Sequence, residues 1–175
     1  MNIELKNVKF MESLSEGTNC FSADLFVNGR KVGFAKNAGH GGCTEYSHHF
    51  DEKNIVHNRE AIRLAEVYCA SLPDIDYGYF KIKSTLENVI DCLFEKWLIA
   101  RDSKKADKKM EKNFQTQICV GVPNSSSYSM YNLKKPLELY PREKLQQFIN
   151  GTVKPNLKEG EVILNTNLEK LGLKK

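Results

Sequence analysis

The stretch Phe21-Ser22-Ala23-Asp24-Leu25-Phe26-Val27-Asn28-Gly29-Arg30-Lys31-Val32-Gly33-Phe34-Ala35 decides the fold class. Phe21, Ala23, Leu25 and Val27 recur at every second position, the period that lines up side chains on one face of an extended chain. Asn28-Gly29 supplies two residues that tolerate positive φ, as a two-residue type I′ turn requires. The spacing predicts a β-hairpin with strands at 20–27 and 30–36. Before it, Ile3-Glu4-Leu5 alternates and then shifts phase at Val8 and Phe10, which predicts a strand with a bulge or bend. Residues 12–19 are polar and read as a loop. After the hairpin, Asn37–Gly42 forms a glycine-rich loop, and Cys43–Ser47 adds a strand to the same sheet.

Helical spacing takes over beyond a polar linker at 51–57. Ile62, Ala65, Cys69 and Leu72 predict a helix over 58–72, ended by Pro73. A second helix starts at Ser84-Thr85-Leu86-Glu87, where Ser at the N-cap and Glu three residues on suit a capping box. Leu86, Val89, Ile90, Leu93, Phe94, Trp97 and Leu98 give it a continuous apolar face. It has no stop signal until about residue 113, and its second half is almost devoid of apolar residues. Two strands follow at 117–122 and 128–133, joined by a turn at Asn124–Ser127. Pro141 opens a short helix that Gly151 is placed to end, and Glu161–Leu164 reads as a last strand. The fold class is therefore α+β: an N-terminal antiparallel meander packed against two helices, one long, with further C-terminal strands. The later strands are expected to complete a sheet. The whole chain, 1–175, reads as a single domain with a projecting basic helical extension around 101–113.

Composition narrows the class. Of 175 residues, 41% are hydrophobic and 27% charged, which excludes wholesale disorder. No run approaches the roughly 18 apolar residues of a membrane span, so no membrane partner is expected. Met1–Lys6 lacks a basic region followed by an apolar core, which predicts a cytoplasmic protein without a secretory signal. The five cysteines are dispersed with no CxxC pair, which predicts reduced thiols; Cys69 and Cys92 read as core residues. The net charge of +4 is uneven: residues 1–100 are net −3 and residues 101–175 net +7. That asymmetry favours an anionic partner for the C-terminal part.

Four clusters are chemically suggestive. Gly39-His40-Gly41-Gly42, with Arg30 and Lys36 on the preceding hairpin, is a candidate ligand-binding loop whose N–H groups would cradle an anion such as a nucleotide phosphate. It matches neither the P-loop nor the dinucleotide fingerprint, and a tight connection between strands explains the glycines equally. Arg101, Lys104, Lys105, Lys108, Lys109 and Lys112 are candidate nucleic-acid-binding residues, placed on several sides of a helix and interrupted by Asp102, Asp107 and Glu111. Tyr128, Tyr131 and Tyr140, near Lys134 and Lys135, are either base-stacking aromatics or core residues. His40, Cys43 and His48, with Glu45 or Asp51 as base, would suit a metal-dependent hydrolase, but their spacing matches no zinc pattern. No metal or other cofactor is assigned. No catalytic residue is assigned either: Ser125–Ser127 has no nucleophile elbow, and Cys43 has no evident orienting partner.

The hairpin Ala23–Gly33 followed by Asn37-Ala38-Gly39-His40-Gly41-Gly42-Cys43 resembles a family of small bacteriophage and prophage proteins. Ala100-Arg101-Asp102 and Val162-Ile163-Leu164-Asn165 are also similar to that family. The resemblance implies a viral or mobile-element setting, in the host cytoplasm, and an accessory role, with antagonism of host defence suggested by context. It implies no catalytic residue. The expected function is non-catalytic binding of an anionic partner, nucleic acid or a nucleotide-like ligand. A protein-binding inhibitor or adaptor of a host factor is the alternative, with a metal-dependent hydrolase third.

Overall fold

The computed structural model describes every residue except Tyr77 and Ser126; the latter, at the centre of the expected 124–127 turn, lies outside the described residues. The Asn-Gly hairpin forms. Strands β2 (Phe21–Val27) and β3 (Arg30–Asn37) pair antiparallel, with Asn28 at φ 49° and Gly29 at φ 80° in the turn. β1 (Ile3–Phe10) and β4 (Glu45–His48) flank them, in the order β1-β2-β3-β4. The expected irregularity in β1 is present: its register against β2 shifts between Lys6 and Lys9, where Asn7 has φ 52°. A second shift, between Leu25 and Phe26, leaves Val32 as an extra residue in β3. Val32 and Gly33 are accordingly both buried although adjacent.

Helix α1 (Ile55–Ala70) starts three residues earlier than its apolar pattern suggests. Asn58 is the reason: it is buried, and its Nδ2 donates to the His49 carbonyl at 3.1 Å, which draws the polar linker into the helix. The short strands β5 (Ile75–Asp76) and β6 (Lys81–Ile82) precede α2 (Leu86–Asn113). Its cap differs from expectation. Thr85 Oγ1 accepts the Asn88 N–H at 3.2 Å, while Ser84 Oγ donates to the Pro73 carbonyl at 2.6 Å. Thr85 therefore occupies the N-cap, and Glu87 is released from a capping box for another use.

The packing forms two compact units, Met1–Ile99 and Ala100–Lys175, each with its own apolar cluster. In the first, Phe21, Leu25, Val32 and Ala35 of the sheet meet Ile62, Ala65 and Cys69 of α1 and Leu86, Ile90 and Phe94 of α2. Phe94 stacks on Phe21 with ring centroids 4.0 Å apart and also approaches Phe10 and Trp97. Leu93 and Cys92 are only half-buried, so the buried stripe is narrower than the apolar spacing suggests.

The later strands complete a sheet, as expected. β7 (Gln117–Gly121), β8 (Ser129–Asn132) and β9 (Val162–Ile163) form their own sheet, ordered β8-β7-β9. Beside it run α3 (Arg142–Phe148), a π-type turn at Ile149–Val153 and a 3-10 turn at Lys154–Asn156. Gly151 thus lies inside a continued helical path and does not end it. Leu145, Ile149 and Val153 bury one face of that path against Ile118, Val120 and Ile163. Among the described residues no helix is long and apolar enough to cross a membrane.

Candidate functional site

The glycine-rich loop is held by a network centred on Asn37, which is buried at the end of β3. Asn37 Oδ1 accepts from Thr18 Oγ1 at 2.8 Å and from the Gly39 N–H at 2.9 Å. Its Nδ2 donates to the Gly42 carbonyl and to Thr44 Oγ1. The Gly39 carbonyl accepts the N–H groups of Glu16, Gly17 and Thr18, and the Gly41 N–H donates to Thr18 Oγ1 at 3.3 Å. The loop N–H groups of Gly39 and Gly41 therefore already have acceptors. An anion nest requires such groups to be free.

The space beside the loop is a cleft of ≈ 360 Å³. Gly41, Gly42, Cys43 and Thr44 line one side, and Glu87, Asp91 and Glu95, at four-residue steps along α2, line the other. The Thr44 N–H donates to Glu87 Oε1 at 3.2 Å, and Thr44 Oγ1 donates to Asp91 Oδ1 at 2.5 Å. Burial, with Glu87 and Glu95 adding repulsion, raises the Asp91 carboxyl above its usual range; the Thr44 hydrogen bond opposes this. Glu87, through a hydrogen bond and its charge, raises the Cys43 thiol. The cleft disfavours negative charge. These carboxylates escape a motif search because three acids at helical spacing look like any solvated face; their four-residue period is the only local signal.

The other expected ligands lie apart. Arg30 donates to Asn54 Oδ1 at 2.7 Å, and Lys36 pairs with Glu45 at 3.0 Å. His40 Nδ1 lies 3.1 Å from Glu16 Oε2. His48 Nε2 accepts from Arg59 at 3.4 Å, and Asp51 accepts from Lys53 and Asn54. His40, Cys43 and His48 thus each face a different partner. Among the described residues no group of three or more His, Cys, Asp or Glu is arranged to hold a metal ion.

The basic half of α2 is different. Residues 102–109 are exposed throughout. At 3.6 residues per turn, Arg101, Lys104, Lys105, Lys108, Lys109 and Lys112 fall within an arc of about 140° along about 16 Å of helix. They share one face, with Asp102, Asp107 and Glu111 outside it, so the interrupted run becomes an ordered stripe in place of cations on several sides. The six side chains border a groove of ≈ 600 Å³. Arg101 Nε lies 3.1 Å from Asp102 Oδ1. Among the described residues the five lysines have no ion-pair partner.

The tyrosines serve packing. Tyr131 and Tyr140 lie against the second apolar cluster, Tyr131 edge-on to Phe148 at 6.1 Å, and the Tyr128 hydroxyl accepts from Asn113 Nδ2 at 3.0 Å. No protein-family model matches the chain, and comparisons with curated proteins and with solved structures return no match.

Proposed function

We propose that the protein is a non-catalytic nucleic-acid-binding protein that grips the phosphate backbone through the lysine face of α2. One observation carries this: five exposed lysines, without an ion-pair partner among the described residues, share one arc of the helix. Leaving such charges unneutralised costs self-repulsion along the helix, and a row of phosphates relieves it by releasing counterions. The face offers cationic groups and no Asn, Gln or aromatic side chain, so its contacts fall chiefly on the phosphate backbone. Charge distribution supports the assignment. Residues 101–175 are net +7 and residues 1–100 net −3, so the fields of the two stretches differ in sign. The accessory role in a phage or mobile element implied by the resemblance accommodates such an activity.

The test is fluorescence anisotropy with a labelled mixed-sequence duplex at low salt. The parent should bind, and K104Q/K105Q/K108Q/K109Q should lose binding while keeping its far-UV circular dichroism. Equal affinity in the variant would reject the assignment. An acidic host protein is the competing partner for the same face. A pull-down from nuclease-treated lysate that recovers one protein stoichiometrically, with no duplex binding, would favour that partner instead.

A further inference from the structure

A second cationic site lies on the helical path after Pro141. In a regular α-helix, four-residue steps drift around a 3.6-residue turn. The π-type turn at Ile149–Val153 bonds i to i+5 and so takes up an extra residue, which counters the drift. The buried side shows the result: Leu145, Ile149 and Val153 stay in one core at successive four-residue steps. The polar side shows it too, since Arg142, Gln146, Asn150 and Lys154 line a single cleft of ≈ 590 Å³.

The C-terminal segment forms the opposite wall. Leu168 and Leu173 bury in the core. Gln146 clamps the backbone beyond them: its Oε1 accepts the Lys174 N–H at 2.8 Å, and its Nε2 donates to the Lys174 carbonyl at 3.0 Å. Gly172, at φ 70°, lies under the Arg142 guanidinium, and a Cβ there would sit 2.9 Å from Arg142 Cζ. Bare backbone at this point, in a conformation glycine tolerates, lets the guanidinium rest against the cleft wall. Arg142, Lys154 and Lys174 bring three cations to the lining, and Glu143 brings a carboxylate. Among the described residues none of the three cations forms an ion pair.

We propose that this cleft binds a phosphate-type oxyanion, a pyrophosphate or a phosphate ester. A guanidinium presents paired N–H donors that match two phosphate oxygens, and the lysines add point charge. The ligand is carried either by a free phosphate compound or by the terminal phosphate of a nucleic acid strand. The site shares no residue with the lysine face of α2, and either assignment stands without the other.

The test is an amide NMR titration of the full ¹⁵N-labelled chain with pyrophosphate, then with a 5′-phosphorylated dinucleotide and its unphosphorylated counterpart. Saturable shifts are expected at Asn150, Gly172 and Lys174. R142Q/K154Q alters only exposed side chains and should weaken pyrophosphate binding about tenfold or more. K104Q/K105Q/K108Q/K109Q should leave that affinity unchanged. Tighter binding of the phosphorylated dinucleotide than of pyrophosphate would identify a strand terminus as the source; the reverse order would identify a free phosphate compound. No saturable shift in the cleft with any of these probes, or equal affinity in R142Q/K154Q, would overturn the proposal.

Discussion

Salt dependence is the most discriminating property of the lysine face. Arg101 is tied to Asp102, which leaves Lys104, Lys105, Lys108, Lys109 and Lys112 to neutralise phosphates. Five contacts on duplex DNA predict a slope of log affinity against log salt of about −4.5. Between about 50 and 200 mM salt the affinity should then fall about 500-fold. K104Q/K105Q/K108Q/K109Q leaves Lys112 alone on the face, so its slope should approach about −1 and its loss over the same range about fourfold. Anisotropy titrations at four or five salt concentrations measure both slopes. Lys134→Gln with Lys135→Gln serves as the control: both residues are exposed but lie outside the face, and the slope should not change. A parent slope shallower than about −2, or a control pair that lowers it as much as the helix variant, would rule out the lysine face as the phosphate-binding surface.

Three further outcomes test the architecture. Phe94→Ala removes the ring that stacks on Phe21 at 4.0 Å and should cost about 3–5 kcal/mol in urea unfolding, whereas half-buried Leu93→Ala should cost clearly less. Asn165 is fully buried, accepting the Cys119 N–H at 2.7 Å and donating to the Gln117 carbonyl at 2.8 Å. Asn165→Ala leaves two backbone groups of β7 without those partners and should cost about 2 kcal/mol or more, with faster hydrogen exchange at Cys119; unchanged exchange there would count against it. The raised Asp91 carboxyl gives a signed pH effect. The folded chain holds that proton more tightly than the unfolded chain, so the stability this contributes is present at acid pH and lost as pH rises through the folded value. Asp91→Asn keeps an acceptor for Thr44 and escapes that loss, so its melting temperature relative to the parent should rise between pH 3 and pH 7; a constant difference would rule the effect out.

The three surfaces follow the charge along the chain. The acidic cleft uses Glu87, Asp91 and Glu95, in the unit ending at Ile99, and the lysine face and the second cleft belong to the unit starting at Ala100. α2 is thus one helix with two opposite electrostatic halves. Its first half buries an apolar stripe and turns carboxylates toward the glycine-rich loop; its second half has little to bury and carries cations.

Local physics made several of these features legible in advance. Asn28-Gly29 and the two-residue period around it determine the hairpin because both act within a few residues. The 86–98 apolar spacing and the lysine run are likewise periodic in the chain itself, so the long helix and its change of character follow without tertiary information. Where two local choices were equivalent, the tertiary fold decided between them. Ser84 and Thr85 are both good caps, and the Pro73 carbonyl took Ser84, which passed the cap to Thr85. Gly151 is a good helix end by sequence, yet burying Leu145, Ile149 and Val153 in one core outweighs that local signal and winds the chain on through a π-type turn. The acidic cleft depends on Thr44 meeting residues more than forty positions away, and the second cleft on Gln146 meeting Lys174. No short-range pattern encodes such meetings, because the partners are brought together only when distant apolar faces pack.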